Sequence, residues 1–105
     1  MIYGRSIGEE IRLRLREQKL TQKDLSEIIK RPTKTVNALV NGTKQITPET
    51  AVQLYLSIGG HPLFWLTLES QRQLERIGCD DYAYPEVILS AMSELTSRQV
   101  WKDKV

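Results

Sequence analysis

The sequence has little of what disulfides, metal sites and common catalytic sites need. It contains one cysteine, Cys79, which cannot form an internal disulfide or build a zinc site alone. Its one histidine, His61, has no second histidine or cysteine nearby to share a metal. We find no glycine-rich phosphate loop, no paired acid signature and no nucleophile with a general base at a plausible spacing. We therefore expect no enzymatic activity, no bound metal and no cofactor.

Long apolar runs are also missing. No run approaches the roughly 18 residues that a membrane-spanning helix needs. The first residues, MIYGRSIGEEI, contain no apolar core of the kind that follows the basic residues of a signal peptide. With 105 residues, 40% of them apolar and 27% charged, the chain suits a single globular domain. These features predict a cytoplasmic protein that does not associate with membranes.

Acidic residues are absent from one segment of the chain. The net charge is only +2, but Lys30–Pro48 contains four basic residues and no acidic one. The residues before this segment include six basic and five acidic side chains. The residues after it include five basic and eight acidic side chains. A basic surface without acids suits a polyanion such as nucleic acid. A solvated face that happens to lack acids is the alternative, and four charges alone do not separate the two.

The spacing of apolar residues predicts an all-α fold, because β-branched residues nowhere alternate with the period of a strand. Capping residues, prolines and glycines mark the helix ends. The predicted helices cover 6–19, 21–29, 33–40, 47–58 and 61–77, and a predicted sixth helix covers 85–101. Apolar positions spaced three or four residues apart predict the core. They include Ile7, Ile11, Leu15, Leu25, Ile28, Ile29, Val36, Leu39, Val40, Ala51, Leu54, Tyr55 and Ile58.

The second and third predicted helices are short and are joined by a three-residue turn, which is the layout of a helix-turn-helix. In such a pair the first helix lies across the phosphate backbone, and the second presents its start to the major groove of DNA. Helix starts also favour phosphate, because their unbonded amides point outward. The pair therefore predicts a DNA-binding surface, and the basic, acid-free segment coincides with its second helix.

A resemblance to a known family covers this pair and its surroundings. The segment Leu20–Ala51 reads LTQKDLSEIIKRPTKTVNALVNGTKQITPETA, with TQ at the start of one helix and NG at the end of the next. It resembles the Cro and phage-repressor class of helix-turn-helix domains, the XRE family. Together with GEEI before it and GGHPLFWLTLES after it, the range Ser6–Ile77 resembles more narrowly the HigA-type antitoxins of bacterial toxin–antitoxin modules.

Two positions depart from the family pattern. Both turns commonly carry glycine in such domains, whereas this chain has Lys19 and Lys30 there. A non-glycine residue in a left-handed turn costs about 1 kcal/mol or more. Either the turns differ locally or the chain accepts that cost.

The resemblance implies a compact five-helix, lambda-repressor-like helix-turn-helix domain, which we place at residues 1–78. Residues 79–105 match no family pattern, and we interpret them as a C-terminal helical extension. Ile88, Met92 and Leu95 would form one apolar face of that extension. This face could fold onto the domain, join a dimer or hold a partner protein.

Family analogy and position on the third helix indicate the candidate DNA-binding residues. They are Gln22, Arg31, Thr33, Lys34, Asn37, Ala38, Thr43 and Lys44. Lys34 could reach the acceptors of guanine, and Asn37 could pair with adenine. Ala38 could meet a thymine methyl group or be a plain surface alanine, and Thr33 could serve only as a helix cap.

The other four candidates suit the phosphate backbone. By analogy Gln22 begins the second helix and hydrogen-bonds to phosphate. Arg31 lies in the turn, and Thr43 and Lys44 follow the third helix. Gln22 and Arg31 could instead be ordinary surface residues.

The leading hypothesis is a sequence-specific transcriptional repressor that binds double-stranded operator DNA as a homodimer. The resemblance implies that it is also an antitoxin, which would bind and block a cognate RNA-cleaving toxin. By spacing, Phe64 and Trp65 are core residues. The resemblance adds a second role for them as dimer or partner contacts, alongside Ile88, Met92 and Leu95.

Three alternatives remain from the sequence. The first is a stand-alone phage-type regulator with no toxin partner, which the sequence separates poorly from an antitoxin. The second is a protein-binding module whose helix-turn-helix is vestigial. The lack of acids across Lys30–Pro48 argues against it, because a surface that had lost DNA would have no reason to exclude them. The third is the DNA-binding half of a longer metallopeptidase-type regulator, although this chain is too short to contain the peptidase.

Overall fold

The computed structural model describes residues 5–78, and within that range the chain forms five α-helices. Their bounds are α1 Ile7–Glu17, α2 Gln22–Ile29, α3 Thr33–Asn41, α4 Pro48–Ile58 and α5 Pro62–Arg76. The predicted order and positions of these helices are confirmed, with ends that shift by one or two residues. The sixth predicted helix lies outside the described residues. No helix in 5–78 is both long enough and apolar enough to cross a membrane.

Local capping interactions start the first two helices where the sequence predicts them. The Ser6 hydroxyl accepts the Glu9 amide at 3.2 Å, and the Glu9 carboxylate accepts the Ser6 amide at 3.0 Å. Thr21 and Asp24 form the same reciprocal pair at 3.0 and 2.9 Å. Such caps satisfy amides that have no partner inside the helix, and each stabilises the fold by about 1 kcal/mol. These local bonds mark the first residues of α1 and α2.

Two turns have the left-handed backbone that such domains usually assign to glycine. Lys19 has φ 60° and Lys30 has φ 57°. Hydrogen bonds close both turns: the Leu20 amide donates to Leu15 at 2.8 Å, and the Arg31 amide donates to Ser26 at 3.0 Å. The turns therefore do not differ locally from the family pattern, and the chain accepts a strain of about 1 kcal/mol at each lysine.

The predicted core residues are buried, with one exception, and all of the buried ones except Tyr55 belong to one apolar core between the helices. Ile28 was expected to face inward, but its side chain is 47% exposed, so that prediction is wrong. Leu25, Ser26 and Ile29 form the buried face of α2. Ile28 precedes Ile29 by about 100° around the helix and therefore lies beyond the edge of that face.

Phe64 and Trp65 are fully buried in this core. Their rings meet edge to face at 5.1 Å, and the Trp65 indole donates to the Gly59 carbonyl at 3.0 Å. A Cβ on Gly60 would lie 2.9 Å from the Trp65 indole nitrogen, and Gly60 has φ 87°, so glycine is required there. The prediction that both rings are core residues is confirmed. Neither ring has surface left in this arrangement for a second copy or a partner, which corrects the alternative role.

Candidate DNA-binding surface

The start of α3 is anchored to α2 by short contacts. The hydroxyls of Ser26 and Thr33 lie 3.3 Å apart, one on each helix. Three residues of α3, namely Val36, Leu39 and Val40, are buried against the rest of the domain. The turn and this buried face hold α3 in one orientation, so its opposite face is turned to solvent.

Among the helices in the described range, α3 alone begins without a side-chain cap. Pro32 stands at the N-cap and makes no side-chain capping bond, and the first turn contains no acidic residue. The other four helices all have a side chain that accepts an amide of the first turn, namely Ser6, Thr21, Thr47 and His61. Thr33 is the first helical residue rather than the cap, so the alternative that it serves as a cap is wrong. The positive end of the α3 dipole is therefore not neutralised by a local carboxylate or hydroxyl.

The solvent face of α3 contains the predicted base-reading residues. Thr33, Lys34 and Asn37 are exposed, and Ala38 is half-buried. Asn41, one turn after Asn37, donates its amide to the Asn37 side-chain oxygen at 3.3 Å. This contact orients the Asn37 amide. Sequence reasoning missed Asn41, although residues four positions apart, such as Asn37 and Asn41, are neighbours on the surface of a helix.

The residues expected to contact phosphate lie around this face with different exposures. Gln22 is half-buried at the first position of α2, and Lys44 is exposed in the loop after α3. Arg31 is half-buried, and its guanidinium lies 3.7 Å from the carboxylate of Glu49. Glu49 is 77% exposed, so this ion pair is a weak surface pair that a phosphate could replace. The Thr43 amide and hydroxyl both donate to the Ala38 carbonyl, at 3.0 and 3.3 Å, and so close the end of α3.

A buried carboxylate on α5 holds the loop between α3 and α4. The Glu69 carboxylate accepts three hydrogen bonds: from the Ile46 backbone amide at 2.8 Å, from the Arg72 guanidinium at 2.6 Å and from the Gln73 side-chain amide at 2.9 Å. Desolvation by burial would raise the pKa of the Glu69 carboxyl, but these hydrogen bonds outweigh it and lower that pKa below its ordinary value. Arg72 in turn donates to the Gly42 carbonyl at 3.1 Å. Sequence reasoning missed both Glu69 and Arg72, because only their spacing of three residues marks them.

A close approach between α1 and α3 lies near the C-terminal end of α3. A Cβ on Gly8 would lie 2.0 Å from the Val40 carbonyl oxygen, a distance that no real contact allows. Sequence reasoning also missed Gly8, since a glycine inside a helix more often signals weakness than packing.

The structure thus gathers Thr33, Lys34, Asn37 and Ala38 on one helix, with Thr43 and Lys44 in the loop that follows it. The expected contact residues Ile88, Met92 and Leu95 lie outside the described residues. Within 5–78, no group of three or more histidine, cysteine or acidic side chains is arranged to hold a metal ion.

The fold and this surface define an all-α helix-turn-helix domain. No protein-family model matches the sequence, and no curated protein does. Among solved structures, a protein described as an antidote protein of a plasmid maintenance system from Nostoc punctiforme is 25% identical, with a TM-score of 0.65. The similarity covers 72% of this chain and 84% of that one.

Two further solved structures share the fold. An addiction module antidote protein of the HigA family from Coxiella burnetii is 24% identical over 100% of this chain and 97% of its own, with a TM-score of 0.61. The antitoxin GraA is 23% identical, with a TM-score of 0.60, and the similarity covers 73% of this chain and 86% of GraA. These structural neighbours are described as antidote and antitoxin proteins, one of them of the HigA family, and they share the helix-turn-helix fold of this chain.

Proposed function

We propose that this protein is an antitoxin that also represses transcription, by binding operator DNA through α3. One observation carries the DNA-binding part. The exposed face of α3 and the loop after it belong to a segment with four basic and no acidic residues, and α3 starts without a side-chain cap. A helix start of this kind, presented by a helix-turn-helix, suits the phosphates and groove edges of duplex DNA.

The side chains on α3 suit direct reading of base edges. Lys34 can donate to the oxygen and nitrogen acceptors of guanine in the major groove. Asn37 can make a bidentate pair with adenine, because its oxygen has a second lone pair beside the one that Asn41 occupies. Ala38 suits contact with a thymine methyl group, and Thr33 suits contact with either strand near the helix start.

The residues around α3 suit the phosphate backbone. Gln22 at the start of α2 and Lys44 in the exposed loop would bind on either side of the recognition helix. Arg31 would exchange its weak pair with Glu49 for a phosphate. Thr43 would contribute from the closed end of α3. These contacts set orientation and affinity rather than sequence preference.

A homodimer is the economical form for such a reader. A single module contacts few base pairs, and specificity rises when two copies bind together. Two copies related by a twofold axis would read half-sites about one helical turn, or roughly 34 Å, apart. We propose that residues 1–78 supply the DNA-binding domain and that 79–105 form an extension whose apolar residues meet a partner.

The antitoxin part is supported by the structural neighbours, which are described as antidote or antitoxin proteins. The partner would be a toxin that cleaves RNA, and repression would act on the operon that encodes both. A stand-alone regulator remains the competing function, because DNA binding alone is common to both.

Two experiments test the two parts separately. Selection of duplexes from a random-sequence library by the full chain should enrich a motif with twofold symmetry, and enrichment of no motif would reject sequence-specific binding. Co-expression with the product of a small neighbouring reading frame, tagged on the neighbour alone, should give co-purification and rescued growth. A neighbour that is neither toxic nor bound would leave a stand-alone regulator.

A further inference from the structure

The loop between α3 and α4 is fixed from α5 at both of its ends. At the first end, a guanidinium N–H of Arg72 donates a hydrogen bond to the Gly42 carbonyl at 3.1 Å. At the second end, Glu69 accepts the Ile46 amide at 2.8 Å. The two α5 residues are joined to each other at 2.6 Å, so they form a continuous bridge.

Between these two anchor points lie three exposed residues, Thr43, Lys44 and Gln45. The bridge itself is sheltered, since the side chain of Glu69 is 6% exposed and that of Arg72 is 24% exposed. A charged hydrogen bond shielded from water is stronger than one on the surface. The loop therefore presents exposed side chains on a backbone that is held at either end.

We propose that Glu69 and Arg72 are positioning residues for DNA binding, which hold the backbone of residues 42–46 so that Lys44 meets a phosphate. This inference rests on the proposed DNA-binding function. Neither residue needs to touch DNA. A loop that is already ordered loses less conformational entropy when it binds, so the contact from Lys44 contributes more of its free energy to affinity.

The test compares two arginines on the same helix. Arg72→Met removes the bond to Gly42 and the pair with Glu69 but keeps most of the aliphatic side chain. Arg76→Met removes the same charge one turn later, at an exposed position. The probe is a labelled duplex that the wild-type full chain selects from a random library, titrated at several salt concentrations. Circular dichroism establishes that each variant is folded.

The expected result separates positioning from charge. Arg72→Met should weaken binding about fivefold or more, the loss of about one charged contact. It should also lower the salt slope by about one, as loss of a phosphate contact does. Arg76→Met should change affinity less than about twofold, by long-range electrostatics alone. Equal effects of the two substitutions would overturn the proposal.

A double-mutant cycle with Lys44→Ala identifies the residue through which Arg72 acts. If Arg72 positions the loop, Arg72→Met should have little further effect once Lys44 is gone. Additive losses would mean that Arg72 contacts DNA itself or acts on the whole fold, and they too would overturn the proposal.

Two further measurements keep the proposal testable if Arg72→Met does not fold. Arg72→Lys keeps a charge beside Glu69 but lacks the planar fork that bonds Glu69 and Gly42 together. It should also weaken binding and speed amide hydrogen exchange of residues 43–46 in the DNA-free protein. Unchanged exchange and affinity would count against positioning. If the wild-type chain selects no duplex, the DNA-binding function fails and this inference fails with it, whereas normal wild-type binding with no effect at Arg72 rejects the inference alone.

Discussion

The backbone of Gly8 in α1 passes so close to Val40 in α3 that a Cβ on Gly8 would lie 2.0 Å from the Val40 carbonyl oxygen. This contact sets how closely α3 packs against α1. The absence of a side chain at position 8 is therefore a geometric requirement for the packing of α3 against α1.

Gly8→Ala should destabilise the protein. In an ordinary helix this change stabilises by roughly 0.5–1 kcal/mol, because alanine loses less entropy on folding. Here the methyl group forces α1 and α3 apart, and overpacking of this kind costs about 1–3 kcal/mol. Urea unfolding of the full chain measures the change. A rise in the free energy of unfolding would show that α1 and α3 are not in this close contact.

Lys19→Gly should stabilise the protein by about 1 kcal/mol, because glycine has no steric penalty in the left-handed conformation. Lys23→Gly is the matched control. It removes the same charge from an exposed position in the first turn of α2, where glycine has a lower helix propensity than lysine. Thermal unfolding should move in opposite directions for the two variants. Equal losses would contradict a left-handed turn at residue 19.

Helix positions were predictable because their signals are local. Ser6 with Glu9 and Thr21 with Asp24 lie three residues apart, and each pair forms the expected reciprocal cap. Ile28 was predicted wrongly, because the direction of a short helix face depends on what packs against it. A two-turn helix gives too few apolar positions to define that face from spacing alone.

The bridge that holds the loop could not be predicted from the sequence. Glu69 is 23 residues from Ile46, and Arg72 is 30 residues from Gly42. No local pattern specifies pairs at such separations, since they exist only once α5 is packed. The basic segment around α3 could be recognised in the sequence, whereas the residues that hold its loop in place could not.

Glu69 should make stability depend on pH. Its folded-state pKa is lowered, so the native state favours the ionised carboxylate. The stabilisation is fully present above the unfolded-state value near 4.5 and is lost as the pH falls through the folded-state pKa. The stability difference between wild type and Glu69→Gln should therefore be largest near neutrality and narrow in acid.

Glu75→Gln is the control for this titration, since it removes the same charge from an exposed position on α5. Urea unfolding at a series of pH values should show little change between this control and wild type. If the stability difference between wild type and Glu69→Gln stays constant from neutral to acid pH, the charge of Glu69 does not stabilise the fold.

Lys34→Ala and Lys44→Ala should weaken DNA binding in different ways. Both remove one positive charge from the acid-free segment. Lys34 lies on the exposed face of α3, where its loss should cost about 1–3 kcal/mol and relax sequence preference at one position. Lys44 lies in the loop, where its loss should weaken all sequences alike and lower the salt slope by about one.

Competition binding between the selected duplex and duplexes that differ from it by one base pair measures the sequence preference of each variant. With Lys34→Ala the ratio of affinities for the selected and altered base pairs should fall, and with Lys44→Ala it should remain at the wild-type value. Each lysine serves as the charge-matched control for the other. If the two variants lose affinity equally and keep the same sequence preference, α3 contributes only electrostatic attraction, and its assignment as the recognition helix is wrong.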